Sequence, residues 1–208
     1  MSDLGLGSLI ELKRHLIANN TAETTYDTTI TELGRGVARG IDRFCNRQMA
    51  RVAGATYDTA AEVDHIYLPR FPVESVASIS LKTSQVDGFV ALDSTVILNR
   101  DDSSGLVMFG APLSDRTGIL RVTYTGGYWF DTTEDGTGVM PAAATLLPYD
   151  VSFTWKTQCR RLWELLDKLG TGLAQLDRNR SAEEILSSYK FIDGVKEFLI
   201  PFIRYAMT

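Results

Sequence analysis

Five arginines, Arg35, Arg39, Arg43, Arg47 and Arg51, recur at intervals of four residues. At about 100° of helical turn per residue, the first three lie together, opposite an apolar stripe of Ile30, Leu33, Val37, Ile41 and Phe44. Like charges at this spacing repel by roughly a few tenths of a kcal/mol per pair. Three arrangements offset the repulsion: solvation, with the helix C-terminal dipole favouring the last arginines, pairing with carboxylates of a neighbouring chain, or contact with nucleic acid phosphates. A formal net charge of −5 weighs against the third, because chains that grip nucleic acid are usually basic. The second makes Arg35, Arg39, Arg43 and Arg47 a subunit interface.

Other patterns approach known chemistry and stop short of it. Gly34, Gly36 and Gly40 resemble a dinucleotide fingerprint, but the third glycine is one residue late. They also fall inside a helical pattern rather than a strand-to-helix turn, so no backbone N–H groups would face a phosphate. Close helix packing is the better reading. Asp131-Thr132-Thr133-Glu134-Asp135-Gly136 opens like a calcium loop, but its twelfth position is Ala142, which cannot ligate. Two thiols, Cys45 and Cys159, and two scattered histidines, His15 and His65, make neither a zinc site nor a disulfide framework. Both cysteines fall on or beside apolar helix faces, as small buried hydrophobes do. Neither histidine stands in the context of a nucleophile–base pair. The expectation is a protein with no cofactor, no metal and no enzymatic activity.

The elements that position these residues follow from periodicity. Ser8 to Ile17 reads as a helix opened by a Ser8–Glu11 capping box. A second helix runs from about Asp27 to Asn46. From Tyr57 to Tyr128 the period shortens to short β-like runs: 65–68, 76–81, 89–92, 96–98, 106–109 and 119–124. Clusters of Pro, Gly, Asp and Ser separate them. Helix returns near Pro148, suited to a first turn, with Val151, Trp155, Cys159, Leu162, Leu166 and Leu169 on one face. Gly170-Thr171-Gly172 breaks it, and Ser181-Ala182-Glu183-Glu184 opens a short helix to about Tyr189.

The fold class expected is α+β: a small helical core of about four helices, an inserted small antiparallel β domain, and an extended C-terminal docking segment. The boundaries read as 1–51 for the N-terminal helices, 52–147 for the β-rich insertion, 148–192 for the C-terminal helices and 193–208 for the tail. Residues 52–147 carry five basic and twelve acidic residues, while both flanks are close to neutral. That insertion is the natural source of carboxylates for the arginine face. No apolar run reaches the roughly 18 residues that span a bilayer, so no membrane role is expected. The start, MSDLGLGSLIELKR, lacks the basic and apolar regions of a secretory signal.

The tail is strongly apolar from Phe198 to Tyr205 and must be buried somewhere. Docking on its own domain or insertion into a partner would each achieve this.

Four stretches, in order, resemble the head-tail connector (adaptor) family of tailed bacteriophages. The first is the pair of leading helices ending Ile41-Asp42-Arg43-Phe44-Cys45-Asn46-Arg47, where the family often has Thr-Gly before the arginine. The second is Leu68-Pro69-Arg70-Phe71-Pro72-Val73-Glu74-Ser75-Val76, similar to the family's L-P-x-x-P-V-x-S-V turn. The third is Val122-Thr123-Tyr124-Thr125-Gly126-Gly127-Tyr128 followed by Pro141 and the long helix. The fourth is Val195 to Tyr205, similar to a closing V-x-x-L-L-x-P-Y-R, with Pro201-Phe202-Ile203-Arg204 in place of Pro-Tyr-Arg. The resemblance implies a virion structural protein at the head–tail interface, assembled in the host cytoplasm. It would form a ring of about twelve copies beneath the portal protein, where each subunit must complement a different surface of its neighbour. The ring would receive a tail, stopper or nozzle protein and leave a channel that DNA crosses without specific binding. By the same resemblance Val195, Phe198, Leu199, Pro201, Phe202, Ile203, Arg204 and Tyr205 would dock on the portal. The rival expectation is a soluble module binding carbohydrate or protein through its β region, with Tyr124, Tyr128, Trp129 and Phe130 as an aromatic platform.

Overall fold

The structure is a computed structural model and describes residues 4–17, 22, 24–84, 86, 88–111, 113, 118–133, 137–168 and 191–204. Among these residues it is mixed α+β, as expected, with four α-helices and antiparallel sheets. The helices are α1 (Leu9–Leu16), α2 (Asp27–Cys45), α3 (Tyr149–Lys168) and α4 (Asp193–Leu199). The strands are β1 (Val52–Ala60), β2 (His65–Tyr67), β3 (Val73–Lys82), β4 (Val90–Leu92), β5 (Ile97–Asp101), β6 (Leu106–Phe109), β7 (Ile119–Gly126), β8 (Tyr128–Trp129) and β9 (Thr145–Leu146). The expected helix over 181–189 and the glycine break at 170–172 lie outside the described residues. The chain divides into two compact units. One comprises residues 1–47, 130–140 and 146–208, the other 48–129 and 141–145.

The helical unit forms around Trp155. Ser8 caps α1, its hydroxyl accepting from the Glu11 N–H at 3.2 Å. This is the Ser half of the expected capping box, and it satisfies one free backbone donor of the first turn. Leu12 of α1, then Ile30, Leu33, Val37 and Ile41 of α2, then Val151, Trp155, Cys159 and Leu162 of α3 are all buried. Trp155 is fully buried, and its indole Nε1–H donates to the Gly34 carbonyl at 2.9 Å. Glycine permits this approach. A β-carbon on Gly7 would stand 2.7 Å from the indole, and one on Gly34 would stand 2.8 Å from Leu4 and 3.2 Å from the indole. Gly34 against Trp155, and Gly40 against Phe191, are therefore packing positions of α2, as the sequence suggested. Lys13, almost wholly buried, pairs with Asp27 at 2.6 Å and ties α1 to the start of α2.

Asn46 ends α2. It adopts a left-handed conformation (φ 51°), and the N–H groups of Asn46 and Arg47 turn back to the Arg43 and Asp42 carbonyls. At the other end of the chain, α4 lies against α3. Val195 and Leu199 are buried, and Gln158 accepts the Ile192 N–H at 3.3 Å. Pro201 cannot continue the helix because it has no N–H to donate, and the chain tightens into a 3₁₀ turn over Ile200–Phe202. The Arg204 N–H then donates to the Cys45 carbonyl at 2.9 Å.

The β unit contains a four-stranded sheet, order β1-β7-β3-β4, and a three-stranded sheet, order β2-β6-β5. Their inner residues, among them Ile66, Leu68, Phe71, Ile79, Val107, Phe109, Leu120, Val122 and Tyr124, form one apolar core. Five of the six expected β runs match strands to within a few residues. The run at 96–98 falls on a 3₁₀ turn and the start of β5. β1 was not expected from the sequence. Gly127 (φ +96°) lets the chain turn after β7, its N–H donating to the Pro72 carbonyl at 2.9 Å.

Three variants test these placements. At Gly127 a β-carbon would stand 2.5 Å from the Ala50 carbonyl oxygen, in a backbone region hostile to side chains. Gly127→Ala is therefore expected to cost about 2 kcal/mol or more of stability, read by chemical denaturation. Leu199→Ala opens a cavity beside α3 and should cost about 2–5 kcal/mol. Deleting residues 193–208 should lower the melting temperature further, whereas a freely extended arm would leave it unchanged.

Candidate docking surfaces

The arginine pattern divides at the end of α2. Arg35, Arg39 and Arg43 are exposed on α2, on the side away from its buried stripe, as their spacing dictates. Arg47 does not continue that face. The left-handed turn at Asn46 takes the chain off the helix, and Arg47 is only 5% exposed. It is buried in its own chain and is not available to a neighbour, contrary to the expectation. Arg51 belongs to the β unit and holds Glu74 through two hydrogen bonds, at 2.6 and 2.9 Å. The Glu74 carboxylate keeps the guanidinium pKa above its ordinary range.

The acidic residues expected to face the arginines are largely engaged at home. Asp58 and Arg121 are cross-strand partners joined by two hydrogen bonds, at 2.7 and 2.6 Å, which hold the Asp58 carboxyl below its ordinary pKa. Arg121 also lies 4.0 Å from the centre of the Phe89 ring. Asp93 caps the 3₁₀ turn through the Thr95 N–H, Asp101 accepts from Ser103 and Ser104, Asp102 pairs with Arg100, and Asp64 pairs with His65. These carboxylates serve turns and register within the β unit. One more acid of the 52–147 segment, Asp131, belongs to the helical unit.

Asp131 is itself turned inward on its loop. One carboxylate oxygen accepts from the Thr133 N–H (2.8 Å) and hydroxyl (2.6 Å), and the other accepts from the Gly138 N–H (2.9 Å). Its donors come from Thr133 and Gly138 of the same loop, so Asp131 serves a turn. No group of three or more metal-ligating side chains converges among the described residues. Cys45 and Cys159 are buried free thiols. Burial raises both pKa values, that of Cys45 to about 12, so neither is a thiolate near neutral pH. His15 sits on α1, where burial and the nearby Arg160 and Lys156 lower its pKa.

The C-terminal segment corrects an expectation. Val195 and Leu199 are buried in the helical unit of their own chain. The Cys45 thiol approaches the Leu199 carbonyl, and Asn46 reaches the Arg204 carbonyl at 3.4 Å. Two of the eight residues assigned to portal docking therefore form core contacts, and the segment is no free arm. The physical reason is spacing: positions 195 and 199 are one helical turn apart and share the face that meets α3. Phe198, Ile200 and Pro201 point outward, while Phe202, Ile203 and Arg204 are half-buried. Tyr205 lies outside the described residues.

Sequence reasoning missed a second apolar feature on the same unit. Tyr149 and Phe153 of α3 are 77% and 40% exposed and stack at 5.9 Å. Phe153 then meets Phe198, itself 46% exposed, edge to face at 6.0 Å. The signal was present as Tyr149 and Phe153 four residues apart on the helix side opposite the Trp155 stripe. In the β unit, Tyr124 is buried and its hydroxyl accepts the Arg70 N–H at 3.1 Å. It supports the β core and cannot join an exposed aromatic platform.

No family model matches the chain, and no curated protein matches it. Three solved structures share its fold, each aligned over 96% of this chain and 90% of the other. A chain from the neck of an empty gene transfer agent (GTA) particle, computed with C6 symmetry, is 13% identical with a TM-score of 0.59. A chain from the virion of the native particle is 12% identical with a TM-score of 0.60. A chain from the neck of the native particle, computed with C12 symmetry, is 15% identical with a TM-score of 0.53. The fold of this protein is thus the fold of chains found in the neck of such particles, consistent with the connector resemblance carried by the sequence motifs.

Proposed function

We propose that this protein is a structural component of a virion neck, a head–tail adaptor that works by assembly rather than catalysis. Copies join as a closed ring beneath the portal protein, about twelve of them if the ring follows the C12 symmetry of the similar neck. The ring presents a docking surface to a tail, stopper or nozzle protein and leaves a bore for DNA. It would assemble in the host cytoplasm and act in the virion.

The observation that carries this reading is the shared fold, which extends over 96% of the chain rather than over one unit. Charge supports it. A subunit with a net charge of −5 repels phosphate at long range, which suits a bore that DNA must cross without sticking. The surface it offers to partners is a fixed one. With Val195 and Leu199 held in its own core, the end of the chain contributes the outward faces of α4 and of the turn after it.

The test is mass measurement and electron microscopy of the purified protein, alone and mixed with portal rings. The expected result is closed rings that co-sediment with portal. A protein that stays monomeric at all concentrations and never co-sediments with portal overturns the proposal.

A further inference from the structure

We infer that β1 is an open sheet edge that takes the β1 strand of a second copy, joining two β units into one continuous sheet. This concerns the β unit alone and does not rest on the proposed ring. β1 is an edge of the four-stranded sheet, and among the described residues it pairs only with β7. The Ala61 N–H donates to the Gly118 carbonyl at 3.0 Å, and the same ladder runs on through Thr59 opposite Leu120 and Tyr57 opposite Val122. In an antiparallel ladder, alternate residues turn both backbone groups toward the partner strand and those between turn them away. Tyr57 and Thr59 therefore bond to β7, while Thr56, Asp58 and Ala60 aim N–H and C=O at the open edge. These three are also the exposed residues of the stretch, whereas Ala55, Tyr57 and Thr59 are half-buried.

Edges of this kind are usually blunted by brevity, proline, lysine or a bulge. The other edge strands here are short: β2 and β4 have three residues each, and β5 has five with a register shift. β1 has nine. Its irregularity is confined to its start, between Val52 and Ala55, and the run Ala55–Ala60 holds neither proline nor lysine. The one charge in that run, Asp58, is bound at home by Arg121. The strand that matches this edge in length is its own copy. Set antiparallel about a two-fold axis at Asp58, Thr56 of one copy faces Ala60 of the other, and the two Asp58 residues face each other. Each such pair exchanges two N–H···O bonds, so every outward group from Thr56 to Ala60 is satisfied. Arg121 stands in register beside each Asp58, so the axis brings ion pairs together rather than bare carboxylates. On the other face, Tyr57 of one copy lies beside Thr59 of the other, an aromatic and β-branched pair of the kind that stabilises sheets. The pair is two-fold and stops at two copies. It is therefore distinct from the heterologous contact of a ring, and it covers the edge in copies not yet assembled.

Backbone hydrogen exchange of the full chain, read residue by residue at low and high protein concentration alongside sedimentation, tests this without any substitution. The Thr56, Asp58 and Ala60 amides should exchange at least about tenfold more slowly once the protein sediments as a dimer, while Tyr57 and Thr59 are protected at both concentrations. Thr56→Cys/Ala60→Cys places exposed thiols on facing residues whose Cα atoms lie about 5.5 Å apart across the pair, within disulfide reach. Mild oxidation should give a covalent dimer, and Thr56→Cys alone, which faces alanine, should not. Thr56→Pro removes one outward N–H and spares the ladder with β7. It should melt at the temperature of the parent protein and associate at least about tenfold more weakly. A protein that is monomeric at every concentration, an oligomer whose three amides stay fast, a proline variant that associates like the parent, or a single-cysteine variant that cross-links as readily as the double one overturns the inference. So does slowing of these amides only when portal rings are added, which assigns the edge to a portal strand. The ring reading is decided separately, by co-sedimentation with portal, and its failure leaves the β1 pair standing.

Discussion

The helical unit depends on one close contact, the burial of Trp155 between residues too small to keep it out. Its indole is the largest side chain in that core, and it brings a polar N–H that must be satisfied wherever it is buried. The Gly34 carbonyl accepts that N–H, and Gly7 and Gly34 leave room for the ring. Segments from opposite ends of the chain meet at this point: the lead into α1, the middle of α2, and α3. Glycine costs a helix up to about 1 kcal/mol relative to alanine. Burying a tryptophan contributes several kcal/mol, so the exchange favours the packed state. Once α3 is held there, its neighbouring face receives α4, and the position of the C-terminal segment follows.

That consequence changes the picture of the C-terminal segment. A loose apolar tail would insert into a neighbour and gain order only on binding, at an entropic cost. Here Val195 and Leu199 have already been ordered by their own chain, and Pro201 tightens the turn that follows. What remains outward is a surface set in place before any partner arrives. Arginines on one helix and aromatic rings on two others are held on regular elements.

The β unit shows a related economy. A block of acidic sequence looked like a reservoir of charge for a partner. Among the described residues, most of those carboxylates instead cap turns or pair with nearby basic side chains, as Asp101 does with Ser103 and Ser104 and Asp58 does with Arg121. Short-range hydrogen bonds to neighbouring donors are available to Asp in almost any turn. Net charge by segment therefore says little about which charges are left for others.

Periodicity alone determined much of this protein: the extents of α1 and α2, the capping serine, the ending at Asn46, five of the short strands, and the α+β class. Each of these rests on interactions between residues near in sequence, so local spacing suffices to read them. β1 escaped because Val52–Ala60 is built mostly of small and polar residues that carry no alternating apolar signal, and its strand is held by its ladder with β7, 59 to 74 residues away. The same is true of the surfaces. Spacing placed Arg35, Arg39 and Arg43 on one face, but only the fold revealed that Arg47 turns inward, that Leu199 is core, and that Phe153 meets Phe198. Burial is decided by which elements pack together, and that choice belongs to contacts distant in sequence.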